Sequence, residues 1–184
     1  MPTEGLFPAC AASPAPVFRP TARAMVVDNT GRLLLFSGAV SNTALTGPKW
    51  FTPGGGVRAR ESLPEAASRE LSEETGLTWP VSRLGAVIAV CAGIWWAGEQ
   101  PFFGVDSFFA VRVSELTVSD AGHEEAERPA LNVHRWWTAS ELEQTSDAVF
   151  PLGAAGLLRR ILSGDLPAAP LRLPWRAHRV QVRR

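Results

Sequence analysis

The chain predicts an α/β domain, on three observations. Residues 62–76 carry a helix with both ends marked, several other stretches are short runs of aliphatic, β-branched and aromatic residues, and Gly, Pro and Asn punctuate the gaps. At 184 residues there is room for one domain with a proper core and short extensions.

Residues 1–18 contain four prolines and no periodicity, so they read as a flexible N-terminal arm, with the domain spanning 19–165. Arg23–Asp28 and Arg32–Ser37 are β-rich runs joined through Asn29-Thr30-Gly31, which predicts a hairpin. Trp50–Thr52 reads as a short strand, and Pro53-Gly54-Gly55-Gly56 as a loop whose backbone can approach a ligand closely. The helix follows: Ser62 with Glu65 forms a capping-box pattern, and Gly76 is the expected left-handed stop. Leu84–Trp96 and Phe102–Val113 are nearly apolar throughout, as strands covered on both faces should be. Residues 114–130 read as an acidic loop, Val133–Trp137 as a strand, Thr138 with Glu141 as a second capping box, and Pro151–Leu162 as a helix ended by Gly164. Residues 166–184, rich in Pro and Arg, read as a solvated tail with no core-facing stripe.

Composition narrows the function. Hydrophobic residues make up 46% and charged residues 20%, which argues against a disordered or fibrous chain. A formal net charge of +0 offers no global field for nucleic acid or an anionic membrane. The longest apolar run, Leu84–Gly98, is broken by glycines and too short to span a bilayer, and the N-terminus lacks the pattern of a signal peptide, so a cytoplasmic location is expected. Cys10 and Cys91 fit neither a disulfide framework nor a metal knot, and His123, His134 and His178 form no spaced set.

The chemistry lies on the helix. At 100° per residue, Leu63, Ala66, Ala67, Glu70, Glu73 and Glu74 share one stripe, opposite Glu65, Ser68 and Ser72. The carboxylates therefore continue the line of buried alanines and are aimed along the edge of the core, where they need a cation. Glu70, Glu73 and Glu74 stand at i, i+3 and i+4, so their oxygens can converge, and an oxygen-only set favours Mg²⁺ or Mn²⁺, ions that share sites with substrate phosphates.

A longer pattern runs through the same residues. Gly55, Glu61, Arg69, Glu70, Leu71, Glu73, Glu74, Gly76 and Leu77, within GGVRARESLPEAASRELSEETGL, match the spacing Gly, five residues, Glu, seven residues, Arg-Glu-apolar-any-Glu-Glu-any-Gly-apolar. In this the chain resembles the Nudix hydrolases. A chance match is on the order of 10⁻⁹ per starting point. The resemblance implies a Nudix-type α/β/α sandwich, a mixed β-sheet between helices. It also implies Mg²⁺-dependent hydrolysis of a small nucleotide-type substrate, a nucleoside diphosphate linked to another group. By the resemblance Glu73, Glu74 and Glu70 would be metal ligands with the Gly55 carbonyl, and Glu70 is alternatively the base that activates water. Arg69, one of the implied catalytic residues with Glu70, Glu73 and Glu74, would hold Glu70, while Glu61 pairs with Arg69 and, with Gly76, is a structural support of the motif.

Outside the motif, Arg23, Trp50, Phe51 and Arg58 are candidates for substrate binding: the aromatic pair could stack on a base, and the arginines could add positive charge near phosphates. A further carboxylate is expected from the acidic stretch Asp120–Glu127, with Glu125 (or its neighbour Glu124) as catalytic base and Glu99 as second choice. Two rivals stand beside hydrolysis: a catalytically weak nucleotide-sensing module, and isomerisation of an isoprenoid diphosphate. The second requires a cysteine near the site, and Cys91 lies in an apolar strand. Oligomeric state, including a homodimer, is left open by the sequence.

Overall fold

A computed structural model describes residues 14–38, 48–118 and 133–175. Nine strands and three helices follow in the order β1 (Val17–Val27), β2 (Leu33–Ser37), β3 (Lys49–Phe51), β4 (Gly54–Gly56), α1 (Leu63–Thr75), β5 (Ala89–Ala97), β6 (Gln100–Arg112), β7 (Val133–Trp137), α2 (Ala139–Gln144), β8 (Ala148–Phe150), α3 (Ala154–Ser163) and β9 (Leu171–Arg172), with a 3₁₀ turn at Val81–Arg83. The main path of the sheet runs β8-β3-β2-β1-β6-β5-β9, while β4 pairs with β1 and β7 with β2. It is mixed: β1 is parallel to β6 over its whole length and antiparallel to β2 and β4.

Alternation along β1 sorts its residues to two cores. Ala22, Ala24 and Val26 pack with Ala66, Ala67 and Leu71 of α1, whereas Met25 and Val27 face Leu157, Leu158 and Ile161 of α3. The sheet is thus covered by helices on both sides, as expected. The α1 ends are those the sequence marks. Ser62 Oγ accepts from the Glu65 N–H, the Glu65 carboxylate accepts from the Ser62 N–H, and Gly76 closes the helix at φ 74°. The same box, Thr138 with Glu141, starts α2.

The structure departs from the expectations at several places. The strand expected from Leu84 begins only at Ala89, and its Ile94 and Trp96 are exposed rather than covered on both faces. The first strand begins at Val17, ahead of Arg23, because each residue from Val17 onward has a register partner on β6. The glycine run is a strand, β4, rather than a loop, paired with Thr21–Arg23. The segment after residue 166 is not wholly a solvated tail: Leu171–Arg172 add a parallel strand beside β5, and Leu173 and Trp175 pack against the α3-side core. Short runs such as Leu-Arg-Leu carry no period of their own, so only the unpaired edge of β5 reveals their structure.

Candidate active site

Three glycines of β4 serve three side chains of α1. The Gly54 N–H donates to Glu74 Oε2 at 2.7 Å. A Cβ on Gly55 would lie 2.6 Å from Glu70 Oε1, so the bare backbone there is the space the carboxylate occupies. The Gly56 carbonyl accepts from Arg69 Nη2 at 2.9 Å. Gly54 itself needs to be glycine, with φ 133° and the Ala22 carbonyl against the place of a Cβ.

Arg69 is the centre of the charged group. Its Nε and Nη2 donate to the two oxygens of Glu61 at 2.8 and 3.0 Å, and its Nη1 donates to Glu70 at 2.7 Å and to Glu73 at 2.8 Å. Such a forked, charge-assisted pairing is strong, and here it is only 17% exposed on the arginine side. The Arg69 hydrogen bond, followed by those of its neighbours, holds the Glu61 carboxyl at about 2, far below the ordinary carboxylate range; its partners push Arg69 up. Glu61 also caps the loop by accepting the Arg58 N–H at 2.8 Å. Arg58 is half exposed and reaches Glu73 Oε1 at 3.4 Å.

Glu70 and Glu74 are each 6% exposed. Burying carboxylates at a core edge is costly unless charge and hydrogen bonds compensate. Among the described residues, however, no three acidic, histidine or cysteine side chains converge closely enough to hold a metal ion. The expected convergence of Glu70, Glu73 and Glu74 is replaced by the Arg69 guanidinium standing between Glu70 and Glu73, with Glu74 turned to Gly54. In donor chemistry the set still fits a hard divalent cation: three carboxylates (Glu61, Glu70, Glu73) pair with the guanidinium groups of Arg58 and Arg69, and Glu74 on the Gly54 N–H is a fourth, leaving negative charge in excess.

Beside Gly55 and Gly56 opens a cavity of about 280 Å³. Its walls are the odd-numbered face of β1, the facing residues of β5 and β6, Phe51 and Phe150, and the segment Pro174-Trp175. Arg23 lines it, donating to the carbonyls of Thr52 and Gly54 at 3.1 Å and lying 3.6 Å from Asp106. Phe51 lines it too, stacked on Phe150 at 5.1 Å. Trp50 does not. It points the other way along β3 into the core, edge-on to Trp137, with Nε1 donating to Asp147 at 2.9 Å, so its expected place in substrate binding is corrected to a core residue. Alternation on β3 sends these adjacent aromatics to opposite faces. Arg58 lies outside the cavity, beside Glu73. Glu99 sits exposed in the β5–β6 turn, and Glu124, Glu125 and Glu127 lie outside the described residues.

Several cavity residues had no role in the sequence reading: Arg19, Thr21, Trp95, Asp106 and Trp175. A signal existed for Asp106. It is the one carboxylate in the apolar run of β6, it accepts from the Thr21 hydroxyl at 2.6 Å, and it sits in register with Cys91. Cys91, expected simply in an apolar strand, is buried but faces the same cavity, 3.8 Å from Asp106.

A model of the NUDIX domain family matches residues 17–155. The chain belongs to the NUDIX domain family. The motif residues Gly55–Leu77 lie inside the matched span. A curated relative, the phosphatase NudJ of Escherichia coli K12, is 28% identical over 134 residues, covering 73% of this chain and 78% of the relative. Among solved structures, the MutT protein of Methanosarcina mazei aligns at TM-score 0.53 and 21% identity, covering 83% of this chain and 99% of that one. The E. coli dihydroneopterin triphosphate pyrophosphohydrolase aligns at TM-score 0.54 and 14% identity over 80% and 99%. The NUDIX domain of Shewanella oneidensis NrtR, solved with ADP ribose, aligns at 0.52 and 18% over 82% and 89%. At these identities the likeness concerns the Nudix fold. No helix among the described residues is long and apolar enough to cross a membrane.

Proposed function

We propose that this Nudix domain catalyses Mg²⁺- or Mn²⁺-dependent hydrolysis of a nucleoside diphosphate linked to another moiety, of the nucleoside triphosphate or nucleotide sugar type. The observation that carries the reading is the placement of Glu70 against Gly55 and of Glu74 on the Gly54 N–H, with Glu73 tied to Glu70 through Arg69, next to a cavity lined by Gly55, Gly56, arginines and aromatic rings. Glu70, Glu73 and Glu74 with the Gly55 carbonyl would hold the metal, which when bound supplies Lewis-acid neutralisation of the charge that grows on the diphosphate. Arg69 orients Glu70 and Glu73, and Glu61 locks Arg69 to the loop. A carboxylate, Glu70 or Glu125, takes the proton as water oxygen bonds to phosphorus; the P–O bond to the bridging oxygen breaks, and the bond's electron pair leaves on the departing phosphate. Arg23 and Phe51 contribute to substrate binding from the cavity wall. The partner is a small molecule, in agreement with the nucleotide named for the NrtR domain.

The test is a screen of purified protein against nucleoside triphosphates, ADP-ribose and nucleotide sugars with Mg²⁺, reading phosphate or pyrophosphate released. Turnover abolished by EDTA and restored by Mg²⁺ is expected. Binding without turnover across the panel would instead favour a nucleotide-sensing module.

A further inference from the structure

The family match ends at residue 155, yet the chain returns to the cavity twenty residues later. Leu171 N–H donates to the Ile88 carbonyl at 3.0 Å and Leu173 N–H to the Val90 carbonyl at 2.8 Å, so the segment is zipped in parallel onto the edge of β5. Pro174 has no N–H to continue that ladder. Extending the register of Leu171 with Ala89 and Arg172 with Val90 brings Trp175 alongside Gly93.

A slot receives the indole there. Gly93 of β5 and Gly104 of β6 are direct register partners on the cavity face. A Cβ on Gly93 would meet Trp175 Cδ1, Cγ and Nε1, and a Cβ on Gly104 would lie 2.9 Å from Trp175 Cη2. Two side chains are thus missing from adjacent strands where one ring lies flat. The positions flanking the slot on the same face are chemically distinct. On one side Cys91 pairs with Asp106, which in turn pairs with Thr21; on the other, Trp95 pairs with Phe102, the rings stacked at 4.6 Å. Arg19, in register with Gly104, lays its guanidinium over both of those rings at 5.9 and 6.0 Å.

The cavity therefore has two ends. Gly55 and Gly56 lie at the end beside the α1 carboxylates, and Pro174, Trp175 and Trp95 at the other. With a volume of about 280 Å³, it holds one ring system rather than a whole dinucleotide. Aromatic faces with a carboxylate that can accept from ring N–H groups suit a nucleobase: stacking supplies the grip and Asp106 an edge to read.

We propose that the C-terminal strap, residues 171–175, is part of the substrate site, and that Trp175, seated on the Gly93–Gly104 slot, determines specificity by packing against the nucleobase of the diphosphate substrate. This rests on the hydrolytic reading for the ligand's class, so the test separates binding from turnover. In a Cys10→Ala background, Cys91 on the cavity wall reports occupancy through its rate of reaction with Ellman's reagent. The probes are ADP-ribose and the four ribonucleoside triphosphates, with hydrolysis followed in parallel in Mg²⁺.

At least one nucleotide is expected to slow labelling of Cys91. Its half-protecting concentration and its KM should both rise at least about tenfold in Trp175→Ala, with kcat changed less than about threefold, and Trp175→Phe should recover most of the loss. Gly93→Ala should reproduce Trp175→Ala, because the added methyl group takes the ring's place without touching the α1 carboxylates. Protection with these shifts but no hydrolysis upholds the strap and overturns the hydrolytic reading. Hydrolysis with KM and protection unchanged in both folded variants, even if their Tm falls, overturns the strap and leaves hydrolysis standing. Absence of both protection and hydrolysis across the panel overturns both.

Discussion

Replacing Arg69 with Gln should cost most of the stability that the motif loop contributes, and the loss should depend on pH in a predictable way. In the folded protein the Glu61 carboxyl lies at about 2 against an ordinary 4.5, first because of the two hydrogen bonds from Arg69. Both side chains are mostly buried, at 17% and 13% exposed, so solvent screening removes little of the interaction. A depressed carboxylate contributes stability that is fully present above its unfolded value and is lost as pH falls through the folded one. At about 1.4 kcal/mol per unit, the shift corresponds to about 3 kcal/mol at pH 7 and about 2 kcal/mol at pH 3.5. Part of it survives in the variant, because the Arg58 N–H still binds Glu61. Urea unfolding in EDTA at the two pH values, wild type against Arg69→Gln, should therefore show a gap of about 2–3 kcal/mol at pH 7 that narrows at pH 3.5. A gap below about 1 kcal/mol at neutral pH, or one that is the same at both, would refute the central place given to this ion pair.

Gly55→Ala should separate fold from function: the added Cβ lies 2.6–2.8 Å from the Glu70 carboxylate, the far end of a side chain that can swing aside, so Tm should shift by only a few degrees while turnover falls at least about a hundredfold. A variant with normal kcat would show that the position of Glu70 is immaterial. Glu73→Gln and Glu74→Gln change charge without volume, and each should lower kcat at least about a hundredfold with circular dichroism unchanged. Glu125→Gln should lower turnover at least about tenfold, and an unaffected Glu125 variant alongside an impaired Glu99→Gln would move the base to the β5–β6 turn. Trp50→Phe should lower stability by about 1–3 kcal/mol in urea unfolding, through the lost Asp147 hydrogen bond and a small void, and leave KM unchanged.

The site helix was legible because its information is local. Ser62, Glu65 and Gly76 act within one turn of the positions they mark, and the spacing of Arg69, Glu70, Glu73 and Glu74 fixes their common face. The Glu61–Arg69–Glu70 contacts were legible through the resemblance, but not the further hold of Arg69 on Glu73 or that of the Gly54 N–H on Glu74. The glycine run reads as a loop from composition, yet pairing with Thr21–Arg23 makes it a strand. That pairing spans some thirty residues, and no local pattern encodes it. The same holds for Leu171–Trp175, whose prolines and arginines hide a strand that only the free edge of β5 creates. Trp50 and Phe51 show the limit of residue type: both are aromatic and adjacent, and the alternation of β3 alone decides that one is core and the other cavity wall.

Hydrolysis in water enriched in ¹⁸O tests the central claim most directly. With Mg²⁺ and any nucleotide the protein turns over, one ¹⁸O atom should appear on a phosphate product, none on a sugar or base, and both label and turnover should vanish in EDTA and fall at least about a hundredfold in Glu74→Gln. Label in a non-phosphate fragment, or undiminished labelling in chelator, would contradict a carboxylate- and metal-centred attack of water on the diphosphate.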